Sequence, residues 1–123
     1  MYRTTAFVTL LLSAAVNAVP CAPTEYEYPV VEFQPWTTEC GNTAYGHTLG
    51  LYRAYREYQD LCFPLPDDVH GLDVLHLADG CELIAFKSPV CNDYPQTGFK
   101  KTDTGCLAFR SHEFRSYKVK CAQ

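Results

Sequence analysis

The sequence predicts an all-β or β-rich α+β protein: a compact, disulfide-stapled sandwich of two similar β units. Three observations carry that expectation. Seven cysteines stand in a chain of only 123 residues, a density typical of small exported domains held by disulfides. Apolar residues come in short runs separated by Gly, Pro, Asn and Asp, the pattern of strands and tight turns. Six of the cysteines form two triplets, Cys40, Cys62, Cys81 and Cys91, Cys106, Cys121, spaced by 22 and 19 residues and by 15 and 15. Each triplet follows an apolar segment containing a phenylalanine, Phe33 or Phe86. Each also contains a strand-like run, residues 71–75 and 116–120, in which Leu72 and Val74 match Tyr117 and Val119. Two such units packed face to face bury a core that neither forms alone.

The elements follow in order. Residues 1–18 read as a signal peptide: Arg3 precedes an eleven-residue apolar run at 6–16, and Val16 and Ala18 stand at −3 and −1 of a cut after residue 18. Such a run is too short for a membrane span, which takes about 20 residues. Residues 19–28 form an N-terminal arm. Residues 29–123 form a single disulfide-rich domain with loose repeats at 31–81 and 82–121. Strands are expected over 29–33, 71–77, 81–87 and 115–121, with turns at Pro64–Asp68, Asp79-Gly80, Asn92-Asp93 and Asp103–Gly105. Between residues 48 and 61, Leu51, Tyr52, Tyr55 and Tyr58 recur at helical spacing, which predicts one short helix with these side chains in the core.

Export gives the cysteines their meaning. No Cys-x-x-Cys occurs, so the set reads as a disulfide framework and not as a zinc ribbon or redox pair. The duplicated spacing suggests local loops Cys40–Cys62 and Cys91–Cys106, with Cys81–Cys121 tying strand ends together. Cys21, alone in the arm, is left unpaired or intermolecular. The formal charge of −4 argues against general binding of nucleic acid or anionic membrane. Residues 19–82 carry eleven acids against Arg53 and Arg56, a balance of −9, and residues 83–123 carry three acids against seven basic residues, a balance of +4.

Chemistry-bearing constellations are sparse. Asp67-Asp68 ahead of Gly71 lacks the hydroxyls of a calcium loop, and His112-Glu113 is not followed by a second His. His47, His70, His76 and His112 form no ligand spacing, so no metal and no cofactor are expected. A small secreted ribonuclease would need a base, an acid and an arginine for the phosphate. Glu25 or Glu27 with His112 and Arg115 supplies those residue types. Lys100, Lys101, Lys118 and Lys120, with Phe99 and Tyr117, make a candidate basic binding patch; lysines also keep an exposed strand from pairing with other chains.

The run Gly80-Cys-Glu-Leu-Ile-Ala-Phe86, then Cys91, Cys106 and Phe114-Arg-Ser-Tyr-Lys-Val-Lys-Cys121, resembles the small cysteine-rich secreted proteins of filamentous fungi. In layout it is similar to βγ-crystallin Greek-key motifs and to killer-toxin-like folds. Ser116 falls at the strand-anchoring serine of the crystallin motif, and Gly71 takes its place in the first half. The resemblance implies an effector or toxin that binds a host or competitor macromolecule, possessing no catalytic group. A secreted ribonuclease and a direct antimicrobial protein are the alternatives. The charge split adds the expectation of an acidic partner.

Overall fold

The computed structural model describes residues 28–92, 98–109 and 111–122; the segment expected as a signal peptide, most of the expected arm and Cys21 lie outside them. Eight strands follow one another: β1 Pro29–Trp36, β2 Tyr52–Tyr55, β3 Phe63–Val69, β4 Gly71–Leu77, β5 Cys81–Phe86, β6 Phe99–Lys101, β7 Gly105–Ala108 and β8 Phe114–Cys121. They form two four-stranded antiparallel sheets, ordered β2-β1-β4-β7 and β3-β8-β5-β6.

The sheet order shows the duplication. Adding four to each strand of the first sheet gives β6-β5-β8-β3, which is the second sheet read from its other edge. Within a unit the fourth strand lies beside the first and the first beside the second, as in a Greek key. The third strand crosses to the opposite sheet: β3 pairs with β8, and β7 with β4. The two units are thus interlocked, each sheet holding three strands of one unit and one of the other.

Alternation explains which residues turn inward. Val31 and Phe33 on β1, with Leu72 and Val74 on β4, meet Leu83 and Ala85 on β5 and Tyr117 and Val119 on β8; all are buried. Phe33 and Tyr117 touch edge-on across the sandwich at 5.0 Å between ring centroids, with Tyr52 and Phe63 packed around them. Edge-on contact is the favoured geometry for such rings. Pro64 and Pro66 interrupt β3 without penalty to the sheet, because β3 is an edge strand and carries a bulge between Pro64 and Val69. This segment is therefore an irregular strand where the sequence suggested a turn.

The helix expected over 48–61 is absent. Tyr52–Tyr55 is β2, and only Arg56–Tyr58 forms a single 3-10 turn. Leu51 and Tyr58 are exposed, whereas Tyr52 packs against the core. Pairing with β1, in which Phe33 faces Tyr52 and Glu32 faces Arg53, outweighs a helical spacing of only four side chains. An Arg53–Glu32 ion pair of 2.8 Å lies on the outer side of that pairing.

The disulfides also depart from expectation. Cys40 joins Cys106, Cys62 joins Cys91, and Cys81 joins Cys121. The local loops Cys40–Cys62 and Cys91–Cys106 do not form, because Cys62 and Cys106 travel with the crossing third strands. Cys106 rides on β7 into the first sheet, against the β1–β2 connection that holds Cys40. Cys62, at the start of β3, enters the second sheet against the β5–β6 connection that holds Cys91. The two bridges are equivalents under the duplication, and both run between units. Cys81 and Cys121 are directly opposite one another on β5 and β8.

Candidate binding cleft and basic face

The longest connection among the described residues, 37–50 between β1 and β2, is rich in Thr, Asn and Gly and is tied down at many points. Thr37 N–H donates to His47 O at 3.1 Å, and His47 N–H donates back to Thr37 Oγ1 at 3.1 Å. Asn42 N–H donates to Glu39 O and Gly46 N–H to Asn42 O, closing successive turns. The Asn42 side chain caps them: its Oδ1 accepts from Ala44 N–H and Tyr45 N–H at 3.2 and 3.4 Å. Asparagine folds the chain back on itself in this way. Gly46 lies so close to Thr37 and Thr38 that any added Cβ would collide with both hydroxyls. The Cys40–Cys106 bridge fixes the middle of the loop.

This framework carries Tyr45 outward, 86% exposed. Beside it opens a cleft of about 510 Å³ lined by Thr37, Thr38, Glu39, Asn42, Tyr45 and His70. His70 forms one wall and is itself pinned: Nδ1 is 2.6 Å from His112 O, and Nε2 is 3.1 Å from Asp68 Oδ1. Asp68 sits at a φ of 68°, a left-handed conformation that Asp tolerates, and its N–H donates to Glu113 Oε2 at 2.7 Å. Behind this corner Phe99, Phe109, His112 and Phe114 pack ring against ring. His70 and His112 thus meet only through a backbone carbonyl, and both of His70's ring nitrogens are engaged.

Two of the four ribonuclease candidates, His112 and Arg115, lie among the described residues. Glu25 and Glu27 lie outside the described residues. His112 belongs to the aromatic corner, and Arg115 is an exposed β8 residue. Among the described residues no group of three or more His, Cys, Asp or Glu side chains is placed to hold a metal ion.

The proposed basic patch is smaller than its sequence. Lys118 and Lys100 both pair with Ile84 on the outer face of β5, and Lys120 pairs with Glu82. The Lys118 ammonium rests over the Phe86 ring, 5.6 Å from its centre, an attractive arrangement for a cation. Lys101 turns away, pairing with Leu83, and its ammonium contacts Asp103 at 2.8 Å. That hydrogen bond and charge hold the Asp103 carboxyl below its usual range. Tyr117 is not part of the patch. It is 6% exposed and faces inward, because alternation places its neighbours Lys118 and Ser116 on the opposite side.

Burial, followed by the neighbouring Tyr52, pushes the Tyr117 phenol up to about 12 from the usual tyrosine value near 10.0. Below pH 10 the phenol is neutral in folded and unfolded chains, and its contribution is fully present. As pH rises from about 10 to about 12 the unfolded chain ionises first, so about 2–3 kcal/mol of stability is lost over that window. Tyr117→Phe should remove this alkaline slope. Urea melts of both proteins at stepped pH would show it, and parallel slopes above pH 10 would disprove it.

Ser116 is fully buried, and the β5–β6 connection folds over it: Oγ donates to Ser88 O at 2.6 Å and accepts from Cys91 N–H at 2.9 Å. At the equivalent point of the first unit, Gly71 lies against Thr38 O and Cys40 N–H. The same two kinds of backbone group converge at both sites. In one they bind a serine side chain; in the other the loop moves in to fill its space.

The architecture and cross-links define a small, cysteine-rich, β-rich protein with three disulfides. No helix among its described residues is long and apolar enough to cross a membrane. No protein-family model, curated protein or solved structure matches the chain.

The sequence reading missed Thr37, Thr38, Glu39, Asn42 and Tyr45. The available signal was the length and turn-rich composition of 37–50, since long connections in small domains are commonly functional.

Proposed function

We propose that this is an exported effector- or toxin-like protein that acts by binding a host or competitor molecule through its folded surface, not through a catalytic group. The observation that carries this reading is the 37–50 loop. A large aromatic side chain is held in solvent, beside an open cleft, by a loop that a disulfide and a dense hydrogen-bond set keep in one conformation. Tyr45 contributes little to folding at that exposure. An exposed tyrosine on a tied-down backbone is well suited to recognition, because the loop is already ordered and the side chain has only two torsions to fix on binding. The disulfides support an extracellular site of action.

The purified oxidised protein, fluorescently labelled, should bind intact target cells saturably, and the reduced and alkylated protein should not. The same preparation should leave RNA intact. Hydrolysis of RNA that disappears in His112→Ala, with the protein still folded, would replace this reading with the ribonuclease.

The Lys100–Lys118 ridge lies on the second sheet and acts at longer range, drawing an acidic surface toward the protein. The Lys118→Glu/Lys120→Glu pair should slow association by about tenfold at low salt and by much less at physiological salt, where screening shortens the reach of charge. Stopped-flow or surface-based association rates at two salt concentrations decide this. Equal rates for both proteins at low salt would exclude the ridge from encounter.

A further inference from the structure

The chain leaves the second sheet at the end of β3 and enters the first at Gly71 on β4; it returns through the β7–β8 connection. These are the same connection, third strand to fourth, in the two units, and His70 joins them. Its backbone N–H donates to Trp36 O at 2.9 Å, and its carbonyl accepts from Phe109 N–H at 3.3 Å. Its ring lies between two oxygens: His112 O is 2.6 Å from Nδ1, and Asp68 Oδ1 is 3.1 Å from Nε2. Both oxygens are acceptors. A neutral imidazole offers only one N–H and leaves its other nitrogen bare, whereas an imidazolium offers two. The two contacts are therefore hydrogen bonds at the same time only when the ring carries both protons. With one proton, held at the closer His112 carbonyl, the bare Nε2 faces Asp68 lone pair against lone pair. The Asp68 backbone cannot easily follow a turned side chain, because its N–H is bound to Glu113 Oε2 at 2.7 Å and its φ is 68°.

We infer that His70 is a proton-operated clamp between the two crossovers, closed in mildly acid medium and loosened as pH rises. It goes beyond the binding-protein reading and does not depend on it. The titratable groups around the ring come from three elements: Asp68 from β3, Glu39 from the β1–β2 connection that shares the cleft wall, and His112 and Glu113 from the β7–β8 connection. Arg110, in that same connection, lies outside the described residues. The three carboxylates are of the sign that an imidazolium attracts, and Trp36 and Phe109 contribute backbone groups. The direction follows from the bonds. Protonation completes the pair, so the hold is fully present at acid pH. It is lost as pH rises through the range in which an imidazole gives up its second proton, between about pH 5 and 8. Because His70 lines the cleft beside the loop that carries Tyr45, the proton also sets how firmly that wall is held.

The test is ring-nitrogen NMR and amide hydrogen exchange of the purified oxidised protein at the two ends of that range, about pH 5 and about pH 8. At the acid end both ring nitrogens of His70 should carry protons; at the alkaline end Nδ1 should keep its proton and Nε2 should lose it. The amides of Asp68, His70 and Phe109 report on closure, since each is bonded across the corner. Their protection, corrected for the intrinsic effect of pH on exchange, should fall about three- to tenfold between the two ends, as expected for one charged hydrogen bond that is partly open to water. Asp68→Asn separates the clamp from a general loosening. An amide can donate as well as accept, so the asparagine can satisfy the bare Nε2, and it tolerates the same left-handed backbone. Its corner should stay equally protected at both ends. The ring spectra of the parent need no variant and decide the matter even where Asp68→Asn fails to fold. A singly protonated His70 at the acid end, or a neutral ring with its proton on Nε2, would overturn the inference. So would level protection in the parent, or an equal fall in Asp68→Asn.

Discussion

Replacing the Cys40–Cys106 bridge with the Cys40→Ala/Cys106→Ala pair is expected to lower stability by about 4 kcal/mol. The bridge closes 66 residues of chain, and constraint of the unfolded state grows with the length enclosed. For a domain of this size the loss corresponds to a fall in melting temperature of about 15–25 °C. The equivalent Cys62→Ala/Cys91→Ala pair, with 29 residues enclosed, should cost slightly less. The two variants separate more clearly in function than in stability. Loss of Cys40–Cys106 frees the loop that holds Tyr45 and should abolish cell binding even below the melting temperature. Loss of Cys62–Cys91 loosens the opposite end of the duplication and should leave binding intact in the folded fraction. Peptide mapping of the unreduced protein checks the premise: a Cys40–Cys62 linkage would mean that the 37–50 loop is not anchored to β7.

Gly71→Ser should destabilise the protein by about 3 kcal/mol, although it makes the two halves more alike in sequence. A Cβ at residue 71 would lie 2.5 Å from Thr38 O and 3.3 Å from both Cys40 N and Cys40 Sγ. The obstruction is backbone held by a disulfide, so relief requires the 37–50 loop to shift; overpacking of this kind costs about 1–3 kcal/mol and sometimes more. Thr38 lines the cleft, so the variant should also weaken binding at temperatures where it remains folded. The reverse lesson comes from Ser116→Ala, which leaves Ser88 O and Cys91 N–H without their Oγ partner in a buried setting and should cost about 1–3 kcal/mol. Guanidinium melts of both variants settle the pair. A Gly71→Ser protein as stable as the parent would show that the loop is not wedged against β4.

The strands were readable where burial follows a strict period. Tyr117, Val119 and Cys121 alternate with Lys118 and Lys120, and the structure buries the first set. The repeated cysteine triplets likewise reflected a duplication that appears in the sheet order. The segment 48–61 misled because four side chains at helical spacing also fit a short edge strand followed by a 3-10 turn, and the choice between them lies in whether β1 is there to pair with. Tyr117 was placed on the basic face by proximity in sequence to its lysines. Alternation alone was sufficient to put it on the other side.

The sequence by itself determined that the chain forms a cysteine-rich β sandwich of two related units, because local alternation and cysteine spacing are properties of neighbouring residues. Only the tertiary structure decided how those units interlock. The exchange of β3 and β7 between sheets is a long-range choice that no local period encodes, and it redirects Cys62 and Cys106 to partners in the opposite unit. The same exchange makes the cleft. Cys106 on β7 anchors the loop from residue 37 to residue 50 beside β4, and His70, just ahead of β4, closes its wall. A site assembled from segments distant in the chain, residues 37–45 and His70, is fixed by packing and cross-links, so its chemistry becomes visible only once the chain has folded.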